Sequence, residues 1–137
     1  GSALAFERLS PQTKIWAAEP EAHDDWALSL EGGTIVANAP GTRSICDAIL
    51  TPEPGKLTFA IGKRLLAGGL RVSDEEVRGA MRAAFRHLKI VAEPGGAAAL
   101  AAALSRMPGE MKGARVGVLV TGGNVDAAEF APVIAAR

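Results

Sequence analysis

Three short polar segments of this sequence have residue types and spacings that can do chemistry. The first is Glu19-Pro20-Glu21-Ala22-His23-Asp24-Asp25. Its carboxylates are hard oxygen donors, and backbone carbonyls in a turn add more of the kind that Mg²⁺ or Ca²⁺ takes, so that His23 need not use its ring. The same residues also make an ordinary acidic helix start, because negative charge is favoured at the positive end of the helix dipole. The second segment is Thr121-Gly122-Gly123-Asn124. Paired glycines let backbone approach a flat or anionic ligand closely, and Thr121 adds a hydroxyl. A plain strand-to-helix turn would read the same way. The spacing is not a dinucleotide-binding fingerprint, which needs two further glycines at set positions. The third is Glu93-Pro94-Gly95-Gly96, where proline at the first helical position marks a helix start. Glu93 before it is either a surface residue or, if buried, a functional one.

Ordered elements must hold these segments in place. Residues 14–18 form a short, nearly continuous apolar run, which predicts a buried parallel strand ending at Glu19-Pro20. Residues 115–120 predict the strongest strand of the chain, running straight into Thr121, and residues 70–72 predict a brief one. Helices are predicted over 3–9, 23–30 and 58–67, the last stopped by Gly68-Gly69. Residues 32–57 hold many turn formers and read as a long excursion with one helical turn near 44–50. Ser73 and Glu76 have capping-box spacing. Val77, Ala80, Met81, Ala84, Phe85 and Leu88 then recur every three or four residues as one apolar stripe, with Arg78, Arg82, Arg86 and Lys89 on a solvated opposite face and His87 at the stripe's edge as a structural residue. Further helices are predicted over 95–104 and 127–136. Strands alternating with helices imply an α/β fold with a parallel sheet, and ligands gather beyond the carboxyl ends of such strands. The clusters at 19–25 and 121–124 both fall there.

Composition bounds the function. The 137 residues suffice for one ordinary domain. Fifteen basic and fifteen acidic residues cancel, which excludes the clustered positive surplus that nucleic-acid binding needs. No apolar run approaches the roughly 20 residues of a membrane helix, and none reads as a signal peptide. Cys46 is the only cysteine, so no internal disulfide forms and a reducing cytoplasm fits. Aromatic residues are 4% of the chain, and a domain so poor in large side chains leans on surface supplied by another segment. The chain also opens in mid-helix, as a truncated domain would.

In order, Glu19-Pro20 with Asp24-Asp25, Ser44-Ile45-Cys46-Asp47-Ala48, Val72-Ser73-Asp74-Glu75-Glu76, Glu93-Pro94-Gly95-Gly96-Ala97 and Thr121-Gly122-Gly123-Asn124-Val125-Asp126 resemble the carboxyl-terminal half of serine/threonine dehydratases and serine racemases. These are pyridoxal-phosphate enzymes of fold type II (tryptophan synthase β-like), and the resemblance covers residues 3–126. It implies a three-layer α/β fold and makes residues 1–137 a single partial domain. By resemblance, a divalent cation is held by Glu19, the His23 carbonyl and Asp25. Thr121 hydrogen-bonds the cofactor's pyridine nitrogen beside Gly122, and Glu93 lies near the ring. Ala48 stands where family members often have glycine in a backbone segment flanking the ring. The family's Schiff-base lysine, in a Ser-x-Lys segment, and its phosphate loop have no counterpart in this sequence and are expected upstream. The intact enzyme is then expected to be a cytoplasmic homo-oligomer that dehydrates and deaminates serine or threonine to a 2-oxo acid and ammonia. A racemase or a dehydratase for an unusual hydroxy amino acid is the nearby alternative, and a non-catalytic α/β module that binds a small ligand or a protein is the rival. The chain alone is expected to catalyse nothing.

Overall fold

The computed structural model describes residues 1–136. Its elements are α1 (Ser2–Leu9), β1 (Ile15–Pro20), α2 (Asp25–Gly32), a 3₁₀ turn (Asp47–Ile49), α3 (Lys56–Leu65), β2 (Leu66–Val72), α4 (Asp74–Ala83), a π turn (Ala84–Leu88), α5 (Pro94–Ser105), a 3₁₀ turn (Gly109–Met111) and α6 (Ala127–Ala135).

β1 and β2 pair in parallel, with Glu19 opposite Arg71 and Pro20 opposite Val72. Side chains alternate across a strand, and the alternation sorts the helices. On one face, Gly69 lies so close to α2 that a Cβ there would stand 2.6 Å from the Ala27 Cβ, and Glu19 receives two amides of α2. On the other face, Ala18, Leu70 and Val72 join a core built with α4 and α5. Helices therefore cover both faces of a parallel sheet, the three-layer α/β arrangement expected. The core is mostly alanine, with Ala97, Ala98, Ala101 and Ala102 of α5 all buried against Val77, Ala80, Met81 and Ala84.

Two elements differ from expectation. The helix predicted to 67 ends at Leu65, and Gly68-Gly69 lie inside β2 instead of stopping the helix. Tertiary contact overrides local breaking propensity here. A Cβ at Gly68 would fall 2.7 Å from the Trp16 ring of β1, and one at Gly69 would strike Ala27 of α2, so bare backbone is what lets the strand fit beside its neighbour and under α2. Residues 115–120, the strongest predicted strand, join no ladder among the described residues. β1 and β2 pair with each other, and a strand-like sequence without a neighbour forms no strand. Leu119 in it is 67% exposed.

The capping box is present: Ser73 Oγ accepts the Glu76 N–H at 3.2 Å, and Glu76 Oε2 accepts the Ser73 N–H at 2.8 Å. The predicted stripe holds through Ala84 and then fails, because the π turn rotates Phe85, His87 and Leu88 to exposed positions. Lys89, at φ 60°, closes this segment in the left-handed region. The basic row is not simply solvated. Arg82 pairs with Glu75 at 2.8 Å, and Arg86 donates to the carbonyls of Ile134 and Ala136 at the end of α6, which a helix cannot satisfy by itself. Phe130 of α6 packs edge-to-face on Phe85, with ring centroids 5.6 Å apart.

Candidate cofactor site

The amino end of α5 and the turn at 121–124 are clasped together. The Glu93 N–H donates to the Gly122 carbonyl at 2.9 Å, and the Asn124 N–H donates to Glu93 Oε2 at 3.0 Å. One residue thus holds both ends of the glycine pair. Bare backbone is what fits this contact. A Cβ at Gly96 would lie 2.6 Å from the Gly122 carbonyl oxygen and one at Gly123 would lie 2.7 Å from the Val91 carbonyl oxygen, while one at Gly122 would push on the Glu93 carboxylate. Thr121, just before the clasp, is exposed, so its hydroxyl is open to a ligand.

The excursion of residues 33–55 returns to the same place. Its 3₁₀ turn sets Ala48 and Ile49 beside α5, each with a side-chain atom 3.5 Å from where a Cβ on Gly95 would be. Ala48, Glu93, Thr121 and Gly122, which the sequence scatters over more than half its length, are therefore gathered through the amino end of α5. What the sequence does not show is how this loop is held. Ser44 Oγ donates to Asp74 Oδ1 at 2.6 Å across 30 residues of chain, and no local pattern signals so distant a pair.

The acidic cluster lies at the carboxyl end of β1. Glu19 accepts N–H groups from Trp26 at 3.2 Å and Ala27 at 3.0 Å, so its carboxylate serves the unsatisfied amides of α2. Burial pushes the Glu19 carboxyl up to about 7, and the neighbouring Asp25 and Asp24 charges add to the rise against those two hydrogen bonds. Asp25 is also raised by burial, opposed chiefly by Asn38, which donates to its Oδ1 at 2.8 Å. Its Oδ2 is buried without a hydrogen-bond partner, an orphaned oxygen of the kind a hard cation takes. His23 is buried, with Nδ1 3.3 Å from the Thr42 hydroxyl, while its N–H donates to the Pro20 carbonyl. Among the described residues no group of three or more His, Cys, Asp or Glu side chains is placed to hold a metal. Of the two carboxylates, Glu19 is engaged by two α2 amides and Asp25 by Asn38, which leaves Asp25 Oδ2 without a partner.

The parallel α/β layers hold a polar glycine turn, a hydroxyl and a carboxylate together at the amino end of α5. The chain belongs to the pyridoxal-phosphate dependent enzyme family, whose model matches residues 1–122. It is 39% identical over 138 residues to the L-threo-3-hydroxyaspartate ammonia-lyase of Saccharomyces cerevisiae, covering 100% of this chain and 41% of that protein. To the beta-hydroxyaspartate dehydratase of Paracoccus denitrificans it is 42% identical over 127 residues, covering 92% and 39%. Among solved structures, maize serine racemase superposes with a TM-score of 0.86 at 35% identity, covering 96% of this chain and 40% of that one. The chain therefore spans about two fifths of the length of the relatives it matches. The fold is that of fold-type-II pyridoxal-phosphate enzymes, as the resemblance implied.

Proposed function

We propose that this chain supplies the ring side of the cofactor site in a pyridoxal-phosphate-dependent lyase that dehydrates and deaminates serine or threonine to a 2-oxo acid and ammonia. The observation that carries the reading is the Glu93 clasp, which holds the Thr121-Gly122 turn at the same end of α5 that Ala48 packs against. Bound pyridoxal phosphate supplies an electron sink for charge developing at the substrate α-carbon. Within this chain, Thr121 would offer the ring nitrogen a neutral hydroxyl. Unlike a carboxylate, it would not hold that nitrogen protonated, which suits loss of a β-hydroxyl better than transamination. Glu93 keeps the turn in place, and the backbone at Ala48 and Gly122 would flank the ring. Relatives named for hydroxyaspartate and for serine racemase keep two neighbouring chemistries open to test, a β-hydroxylated dicarboxylic substrate and racemisation. Glu19, Asp25 and the His23 carbonyl are the proposed locus for Mg²⁺ or Ca²⁺, supported by the orphaned Asp25 oxygen. We place the enzyme in the cytoplasm as a homo-oligomer. Among the described residues no helix is long and apolar enough to cross a membrane.

The test uses the full-length gene product carrying this chain, loaded with pyridoxal phosphate and offered serine, threonine and 3-hydroxyaspartate. Ammonia and 2-oxo acid are expected in equal amounts from serine or threonine. Thr121→Ser should retain the activity and Thr121→Ala should lower kcat by at least about tenfold, the size of one well-placed hydrogen bond. Absence of 2-oxo acid from every β-hydroxy amino acid overturns the reading. The 137-residue chain alone should show no saturable cofactor absorbance, since it contains no Ser-x-Lys segment.

A further inference from the structure

The segment Ser44-Ile45-Cys46-Asp47 and the acidic start of α4 have no part in the proposed chemistry, yet they meet. Asp74 is the first residue of α4, just past the carboxyl end of β2. The helix does not need its carboxylate, because Ser73 and Glu76 cap the end between them. That carboxylate turns outward instead. Its Oδ1 accepts the Ser44 hydroxyl at 2.6 Å, and both its oxygens lie 3.4 Å from the Ile45 amide nitrogen. Ser44 Oγ in turn accepts the Cys46 N–H at 3.2 Å.

Beyond this relay the loop is locked. Cys46 is fully buried, and its thiol, pushed up to about 11 by burial, is a packing group and not a nucleophile. Its carbonyl accepts the Ile49 N–H at 3.0 Å, closing the 3₁₀ turn that sets Ala48 and Ile49 against Gly95. The earlier part of the excursion is pinned elsewhere, by Asn38 on Asp25 and by Thr42 on His23. Asp74 therefore anchors the part that reaches α5.

We propose that Asp74, acting through the Ser44 hydroxyl, is a positioning residue that sets the 44–49 loop against the amino end of α5 and so shapes the wall facing the cofactor ring. The second half of this statement rests on the function proposed above; the first does not.

Two measurements separate them. In the full chain, amide hydrogen exchange over residues 44–49 should quicken about tenfold in Asp74→Ala and in Ser44→Ala, the loss expected for one hydrogen bond to a charged partner. Exchange over 77–83 and 97–102 should stay near its original rate, and Ser44→Thr, which keeps the hydroxyl, should restore the loop. An unchanged loop overturns the proposal, and so does a rise spread evenly over the whole chain, which would mark a general loss of stability. In the full-length gene product, pyridoxal phosphate should bind about tenfold more weakly in Asp74→Ala and Ser44→Ala, with an altered visible circular dichroism band, and Ser44→Thr should recover both. A loosened loop with unchanged cofactor affinity and spectrum overturns the cofactor half. If the unmodified protein binds no pyridoxal phosphate, the proposed function falls and the exchange result still decides the loop.

Discussion

Glu19 is a carboxylate placed where water hardly reaches, and its protonation is therefore tied to folding. Its carboxyl is raised from about 4.5 in unfolded chain to about 7 in the fold. Between those values the folded state holds a proton that the unfolded state has released, so stability rises as pH falls from about 7 to about 4.5 and is flat for this group below that. Above pH 7 both states are ionised and the cost of the buried charge is fully present. In chelator-treated buffer, Glu19→Gln should raise the melting temperature at pH 8 and remove most of the slope between pH 7 and 4.5. A slope of unchanged size in Glu19→Gln would show that another group carries it. Added Mg²⁺ or Ca²⁺ should act in the same sense as acid, raising the melting temperature of the unmodified protein at pH 8 by binding only the folded state. That rise should vanish in Glu19→Gln. That these acidic residues stand together was legible in sequence, because such clusters declare themselves by type. Their partners were not: Asn38 on Asp25, Thr42 on His23 and Asp74 on Ser44 are pairs that only a folded chain makes.

Elements with short-range rules were read most faithfully. The Ser73 and Glu76 capping box and the Pro94 helix start depend on neighbours within four residues, and both stand as expected. The errors lie where a distant layer decides. Gly68-Gly69 carries a local signal for stopping a helix, yet Trp16 and Ala27 make it the inside of a strand. The apolar run at 115–120 has strand composition, yet a ladder needs a second chain segment alongside. The glycines of α5 show the same competition as an energy. Alanine is better than glycine inside a helix by about 1 kcal/mol, so Gly96→Ala would stabilise an isolated helix. In this fold the added methyl meets the backbone of Gly122 at 2.6 Å, and overpacking of that kind costs about 1–3 kcal/mol. The clash wins, because backbone on one side and a helix on the other leave nothing flexible to move. Gly96→Ala should lower stability in a denaturant titration and free the Thr121–Asn124 turn. A stabilised variant would show that the clasp is looser than the structure describes.

The whole molecule presents more apolar surface than its small core explains. Leu9, Leu57, Leu104 and Leu119 are all more than half exposed, and the apolar run at 115–120 joins no ladder among the described residues. Such features favour association, since bare strand-like edges and broad apolar patches seldom stay in water. The 137-residue chain should therefore self-associate, forming a dimer at low micromolar concentration by light scattering. A clean monomer would favour a self-contained module.

The alanine core has a last consequence, for how this protein tolerates change. Ala80, Ala84, Ala97, Ala98, Ala101 and Ala102 are buried side chains with almost nothing left to remove. An alanine scan would pass over them in silence and find its signal only at Val72, Val77, Met81 and Phe130, where truncation opens a cavity. The core is vulnerable in the other direction. Protein interiors are close-packed, so a gain in volume on α4 or α5 is best tolerated beside a matching loss on the facing helix. Sequence drift in this region should therefore run in compensated pairs.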